Sequence, residues 1–160
     1  DNLGKTDIAA ASIGQGKILM TPLNMALVAS GIANKGEIVK PILVKEIISP
    51  EGKVVKDNQP QVILKATDVF TANEVKNMMV ESVKRGTSTN ASIKNVRVAG
   101  KTGTAENPSG KTHAWFVGFA PAEDPKVTVA IVLEEAGSTG GKAAAPIARK
   151  IILEALNTIR

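Results

Sequence analysis

The segment best suited to chemistry is Val98–Glu106, which reads Val-Ala-Gly-Lys-Thr-Gly-Thr-Ala-Glu. Glycine weakens a strand and often marks a place where another backbone or a ligand approaches closely. Lys101 stands between Gly100 and Thr102, so the segment combines one cation with nearby hydroxyl groups. A cation and hydrogen-bond donors on one strand would suit a carboxylate ligand. Composition alone does not separate this interpretation from a surface strand with a solvated lysine.

The composition limits the chemistry available to the chain. There is no cysteine, which excludes disulfide frameworks, thiol nucleophiles and sites in which cysteine binds zinc or an iron–sulfur cluster. His113 is the one histidine, which argues against a histidine metal site and a Ser-His-Asp triad and favours a structural role for this residue. We therefore expect no metal and no cofactor. The net charge of +5 permits an anionic partner without identifying one.

The elements that position the segment follow from the hydrophobic pattern. Thr21-Pro22 predicts the start of a helix that ends near Gly36, and the sequence Thr71–Glu74 fits a capping box for a second helix ending at Arg85-Gly86. The other predicted elements are a hairpin from Ile42–Ile48 and Lys53–Val55, strands at Val96–Ala105, Ala114–Ala120 and Val127–Leu133, and a last helix at Ala143–Ile159.

These elements predict an α+β fold in which a three-strand antiparallel meander packs against helices. The meander carries the Lys-Thr-Gly strand. Three of the four aromatic residues, Trp115, Phe116 and Phe119, fall within one strand, so this strand should form a packing centre. No repeat or linker divides the chain, and residues 1–160 are expected to belong to one domain or to one portion of a larger domain.

Ordered blocks in the sequence resemble the class B penicillin-binding proteins, the branch that cross-links peptidoglycan. The Lys-Thr-Gly triplet is one signature of penicillin-binding proteins and serine β-lactamases. It occurs here in the order typical of the transpeptidase domain, among the blocks Ser12–Gly16, Thr21–Ala26, Ile32–Gly36, Arg85–Thr87, Ala99–Glu106, His113–Pro121 and Ala143–Pro146. The resemblance extends over nearly the whole chain.

Two other signatures of the family are missing. The serine nucleophile belongs to a Ser-x-x-Lys motif, but no serine in this sequence is followed by lysine three positions later. Ser88-Thr89-Asn90 matches a Ser-x-Asn pattern, although the family has that motif much farther upstream, so we interpret the match as a coincidence. We therefore expect the C-terminal part of a transpeptidase domain, with an incomplete penicillin-binding protein/β-lactamase-like fold and no activity as an isolated chain.

The resemblance implies a role for each polar residue of the strand. Lys101 would supply positive potential, and the hydroxyls of Thr102 and Thr104 would bind the terminal carboxylate of the substrate. The backbone N–H of Thr104 would be one oxyanion donor. Gly103 would let the substrate backbone lie against the strand. Gln15, in the Gly-Gln-Gly block, is expected to be an accessory substrate-binding residue.

The resemblance also implies a reaction and partners. The reaction is serine-type D,D-transpeptidase acyl transfer, and the ligands are peptidoglycan stem peptides ending in D-Ala-D-Ala and β-lactams. The N-terminal remainder of the domain would be an intramolecular partner, and a homodimer of the fragment would cover the open edge of strand Val127–Leu133. The parent protein would lie on the extracytoplasmic face of the plasma membrane, anchored by an N-terminal helix that this chain lacks, so the fragment itself should be soluble.

Two alternatives stay open. A serine β-lactamase or β-lactam sensor domain also has the Lys-Thr-Gly strand, although the Gly-Gln-Gly and Thr-Pro-Leu-x-Met-Ala blocks favour the synthetic enzyme. A non-catalytic basic module for binding or assembly is the second alternative. Sheets that bind single-stranded nucleic acid use exposed stacking aromatics. The aromatic cluster here lies in an apolar strand, so we expect no nucleic-acid partner.

Overall fold

A computed structural model describes residues 4–16 and 18–159 of the chain. The fold is α+β, as predicted. Its helices are α1 (Lys5–Ser12), α2 (Pro22–Ala33), α3 (Val69–Arg85) and α4 (Gly140–Thr158), with a 3₁₀ turn at Thr89–Ala91. Its strands are β1 (Glu37–Val39), β2 (Glu46–Ile48), β3 (Val54–Asp57), β4 (Val62–Lys65), β5 (Ala99–Glu106), β6 (Thr112–Ala120) and β7 (Val127–Leu133).

The largest sheet is the predicted antiparallel meander, with the strand order β5-β6-β7. Gly103 of β5 lies opposite Trp115 of β6, and Trp115 lies opposite Val132 of β7. The bounds of β7 agree with the prediction, whereas β5 begins at Ala99 rather than Val96. Because the strand order is β5-β6-β7, the strand with the Lys-Thr-Gly sequence is an outer strand of this sheet.

Helices cover both faces of the meander. Phe116 and Phe119 are three residues apart, so they point to opposite faces, and both are fully buried at 0% exposure. Phe116 packs against Ala144, Ala148 and other residues of α4. Phe119 packs against Met79 of α3 and neighbouring residues of α2 and α3. The predicted aromatic packing centre is confirmed for Phe116 and Phe119, one in each layer, whereas Trp115 is only half-buried.

Helix α3 begins earlier than the capping-box interpretation allows. Its N-cap is Asp68, whose carboxylate accepts a hydrogen bond of 2.8 Å from the backbone N–H of Thr71. Thr71 therefore lies inside the first turn, and the predicted capping box of Thr71 and Glu74 is wrong. The hydrogen bonds from the backbone and the hydroxyl of Thr71 lower the pKa of the Asp68 carboxyl. An aspartate also satisfies orphan N–H groups at a helix start, which is why it can replace threonine as the cap.

Helix α4 begins at Gly140, three residues before the predicted start at Ala143. Its first turn lies directly on the sheet backbone. A Cβ built on Gly140 would be 2.0 Å from the carbonyl oxygen of Trp115 and 2.5 Å from that of Gly103. Glycine lowers helix propensity, so the sequence pattern indicated a turn here. Close packing of the helix on the strands requires the glycine and overrides that propensity.

The region between α2 and α3 contains two small antiparallel pairs. Strands β2 and β3 form the predicted hairpin, although the first begins at Glu46 rather than Ile42 and the second ends at Asp57 rather than Val55. Strands β1 and β4 also pair, a contact that the sequence pattern did not predict. These strands have three and four residues, too few for a hydrophobic period to stand out. Within the part of the chain that the structure describes, no helix combines the length and the apolar character needed to span a bilayer.

Candidate active site

Strand β5 has one paired edge and one open edge. It pairs with β6 from Ala99 to Glu106, and over residues 4–16 and 18–159 no strand lies along its other side. The unpaired N–H and C=O groups of such an edge can accept a further extended chain. The open edge of β5 is therefore the natural place for an extended ligand.

Two side chains reveal which backbone groups face the open edge. The Nζ atom of Lys101 donates to the carbonyl oxygen of Thr102 at 2.6 Å, and Nε2 of Gln15 donates to that of Thr104 at 3.3 Å. In an antiparallel strand the N–H and C=O of one residue point to the same side, and successive residues alternate. Thr102 and Thr104 are two residues apart, so both present their N–H and C=O to the open edge.

Gln15 reaches β5 from the loop after α1. Its backbone N–H donates to the carbonyl of Ala10 at 2.9 Å. Gly14 and Gly16 on either side have φ values of +76° and +90°, a region that favours glycine. These left-handed residues turn the loop so that the Gln15 side chain lies at Thr104, 89 residues away in sequence.

Lys101 extends from the face of the sheet that α2 and α3 cover. It lies opposite Val117 of β6, which is two residues from Phe119 and therefore points to the same face as that residue. It borders a groove of about 490 Å³ whose other lining residues are mostly apolar, among them Val28, Ile32, Val75, Met78 and Val117. The lysine is therefore a cation between an apolar groove and the open edge of β5.

The hydroxyls of the strand lie on its other face. Thr102 is opposite Phe116, on the side of α4, and only 9% of this threonine is exposed. Its Oγ1 atom is 2.8 Å from Oγ1 of Thr87 in the loop after α3. Thr104 shares this face and is exposed. The two strand threonines thus have their side chains on one face and their N–H groups at one edge.

Packing constrains Gly103 from inside the protein. A Cβ at this position would lie 3.2 Å from the Cβ of Trp115 across the strand pair, which is tighter than ordinary contact. The first turn of α4 approaches the Gly103 backbone as well, as described for Gly140. The structure therefore gives this glycine a packing role in addition to any contact with a ligand.

The polar residues of the Ser-x-Asn match make internal contacts. Ser88 is 0% exposed, and its Oγ lies 2.8 Å from Oγ of Ser82. Nδ2 of Asn90 donates to the carbonyl oxygen of Gly141 at 2.8 Å. These contacts fix the loop after α3 to the start of α4. The sequence pattern indicated no role for Thr87 or Asn90, although the family resemblance included the Arg85–Thr87 block.

His113 links two loops at the far end of the sheet. Its Nδ1 accepts a hydrogen bond from the backbone N–H of Glu135 at 3.0 Å, and its Nε2 is 3.1 Å from Nδ2 of Asn107. The structural role predicted for this histidine agrees with these contacts. Among the described residues, no group of three or more His, Cys, Asp or Glu side chains is arranged to hold a metal ion.

Comparison with known families gives one match that spans almost the whole chain. Residues 2–153 match the family described as the penicillin binding protein transpeptidase domain. Among curated proteins, peptidoglycan D,D-transpeptidase PbpA of Mycolicibacterium smegmatis is 38% identical over 157 residues, which cover 93% of this chain and 32% of that protein. Stage V sporulation protein D of Bacillus subtilis is 32% identical, covering 98% of this chain and 26% of that protein.

Solved structures of related proteins have the same fold. Penicillin-binding protein A of Mycobacterium tuberculosis, as a ceftriaxone acyl-enzyme complex, superposes with a TM-score of 0.84 at 33% identity, covering 92% of this chain and 35% of that one. A D,D-transpeptidase domain from Eggerthella lenta gives a TM-score of 0.78 at 39% identity, covering 87% of this chain and 32% of that one. The chain spans about a quarter to a third of the length of the curated relatives it matches.

Proposed function

Because the chain belongs to the family of penicillin-binding protein transpeptidase domains, we propose that it is the substrate-holding part of a D,D-transpeptidase. The observation that carries this proposal is the open edge of β5. Lys101, Thr102 and Thr104 converge there, and the backbone groups of both threonines face outward. One cation with several donors suits the terminal carboxylate of a peptide that adds to the edge as a further strand.

The proposed reaction is acyl transfer from a peptide ending in D-Ala-D-Ala to an amine of a neighbouring strand. Acyl transfer through a serine requires donors directed at the oxyanion that develops on the attacked carbonyl. The N–H of Thr104 faces the open edge, where the carbonyl of an added peptide would lie. Thr102 and Thr104 would bind the carboxylate, Gly103 would admit the peptide backbone, and Lys101 would stabilise negative charge. Gln15 would contact the same edge.

The nucleophile would come from elsewhere in a longer protein. No serine of this sequence has lysine three residues later, so the Ser-x-x-Lys pair is not available within it. The relatives are about three to four times as long as the matched region, which leaves room for an N-terminal portion that carries the serine. We therefore propose that the chain is the C-terminal portion of one transpeptidase domain and is inactive by itself.

β-Lactams would occupy the same edge, since a solved relative is described as a ceftriaxone acyl-enzyme complex. The carboxylate of the antibiotic would replace that of D-Ala-D-Ala. Peptidoglycan lies outside the plasma membrane, so the complete protein would act on the extracytoplasmic face. An N-terminal anchor would hold it there.

The test is covalent labelling of the complete protein by a fluorescent penicillin, with and without an N-acetylated peptide ending in D-Ala-D-Ala. We expect labelling that the peptide slows as its concentration rises, because both ligands need the β5 edge. The same peptide with a C-terminal amide is the control and should slow labelling much less. Absence of labelling, or equal effects of the two peptides, would contradict the proposed function.

The isolated chain should associate with itself through β7. Within the described residues β7 pairs only with β6, and its run Val127–Leu133 contains no charge and no proline to protect the open edge. Pairing between two copies would satisfy the unpaired backbone groups. Light scattering across a dilution series should detect a dimer or a larger species.

A lysine placed on this edge should reverse the association. Val132→Lys adds a charge to β7, whereas Asn157→Lys adds the same charge at an exposed position of α4. We expect the first variant to be more monomeric than the second. A chain that is monomeric at high concentration without any substitution would rule the homodimer out.

A further inference from the structure

Two threonine hydroxyls meet behind the open edge of β5. Oγ1 of Thr87 and Oγ1 of Thr102 are 2.8 Å apart, and either atom can be the donor. Within residues 4–16 and 18–159, neither hydroxyl has another hydrogen-bond partner. The direction of this one bond therefore decides what the Thr102 hydroxyl offers to a ligand.

The pair has two arrangements with opposite consequences. If Thr102 donates to Thr87, its proton points away from the ligand and its lone pairs remain for the ligand. If Thr87 donates to Thr102, the Thr102 proton is free to donate to a carboxylate. A hydroxyl has one donor and two acceptor lone pairs, so it can accept from one neighbour while donating to another. Hydrogen bonds in such a chain polarise and strengthen one another.

The loop around Thr87 is held in place by its neighbours. The N–H groups of Gly86 and Ser88 both donate to the carbonyl of Ser82, at 3.0 Å and 3.1 Å. A Cβ on Gly141 would lie 2.3 Å from the Thr87 carbonyl oxygen, so α4 packs directly against the loop. Asn90 bonds the same turn of α4 through the Gly141 carbonyl. These contacts hold the Thr87 backbone in place beside Thr102.

From this geometry we propose that Thr87 is a positioning residue for the ligand carboxylate. Its hydroxyl donates to the oxygen of Thr102 and so directs the Thr102 proton toward the open edge. Thr87 acts through Thr102 and need not touch the ligand. The inference rests on the proposed function, because it assumes that Thr102 binds a carboxylate.

The experiment compares two forms of one ligand in the complete protein. Rates of acylation are measured with benzylpenicillin and with its methyl ester, which lacks the free carboxylate. In Thr87→Val the acid should react about three- to tenfold more slowly, which is the range expected for one lost neutral hydrogen bond. The ester should react at the rate seen in the unsubstituted protein. The acid-to-ester ratio is therefore the quantity that changes.

Two further variants make the comparison specific. Thr87→Ser keeps the hydroxyl and should keep the original acid-to-ester ratio. Thr89→Val removes a hydroxyl from an exposed threonine two residues away and should also leave the ratio unchanged. The unchanged ester rate in Thr87→Val shows that the fold and the nucleophile are intact.

The outcomes separate this inference from the proposed function. If the unsubstituted protein does not prefer the acid to the ester, carboxylate recognition at β5 fails and the inference fails with it. The other outcome is that the unsubstituted protein prefers the acid while Thr87→Val leaves both acylation rates unchanged or lowers them by the same factor. In that case the positioning role is wrong and the proposed function stands. A fall in the acid-to-ester rate ratio in Thr87→Ser would also contradict the positioning role.

Discussion

Lys101→Ala in the complete protein is expected to lower the rate of acylation by penicillin about 100- to 1,000-fold. Removing one preorganised donor at an acyl-transfer site costs roughly 2.7–4 kcal/mol of transition-state stabilisation. Lys101 fits that role because its Nζ lies at the open edge, 2.6 Å from the carbonyl oxygen of Thr102. The measurement is the second-order rate constant for labelling by a fluorescent penicillin.

Two further variants test whether the effect of Lys101→Ala is specific to the proposed site. Lys94→Ala removes an exposed lysine just before β5 and should leave the rate constant unchanged. Thr102→Val should mainly weaken capture of the carboxylate, so more penicillin would be needed to reach the same extent of labelling. The site assignment is wrong if Lys101→Ala and Thr102→Val both acylate at the rate of the unsubstituted protein.

The isolated 160-residue chain should form no covalent adduct with penicillin at all. Its open edge carries a cation and donors but no serine paired with a lysine in the Ser-x-x-Lys spacing, so nothing attacks the lactam carbonyl. Ser88, the serine of the Ser-x-Asn match, is buried and within hydrogen-bond distance of Ser82. Incubation with a fluorescent penicillin followed by denaturing electrophoresis measures the adduct.

A matched sample of the complete protein, labelled beside the chain, verifies that the reagent is active. A fluorescent band on the pure chain would contradict the assignment of the nucleophile to another part of the protein. In that case Ser88→Ala would be the first variant to make, because Ser88 lies two residues before Asn90. Abolition of the band by this substitution would identify Ser88 as the nucleophile.

The sequence predicted the parts of the fold that depend on continuous apolar runs. Strand β7 is a run of seven residues without a charge, and its bounds were predicted correctly. Clustering of Trp115, Phe116 and Phe119 in β6 predicted a packing centre, and the two phenylalanines are fully buried. In each case the local pattern and the tertiary packing favour the same structure.

The prediction failed where packing or capping overrides local propensity. The start of α4 requires Gly140 because the helix lies on the strand backbone there, and a residue's intrinsic helix propensity does not reflect such a tertiary contact. Helix α3 begins at the Asp68 cap, whereas the Thr71–Glu74 pattern is only a sequence match to a capping box. Helix α1 is rich in alanine and has no buried residue, so no apolar stripe indicated it.

The candidate site was predictable only in part for the same reason. The Lys-Thr-Gly sequence identified the strand, and the family resemblance supplied roles for Lys101 and Thr104. The hydrogen bond between Thr87 and Thr102 joins residues 15 positions apart on different elements, and the contact of Gln15 with Thr104 spans 89 positions. Such contacts arise from the packing of the loop after α3 and of the N-terminal loop against β5.

The structure of the complete protein acylated by benzylpenicillin tests the account most directly. We expect the antibiotic carboxylate within hydrogen-bond distance of the hydroxyls of Thr102 and Thr104, and the acyl carbonyl oxygen within reach of the Thr104 N–H. The covalent bond should be to a serine outside the 160 residues of this chain. An adduct whose carboxylate lies away from β5, or whose carbonyl oxygen is not bound by Thr104, would contradict the account.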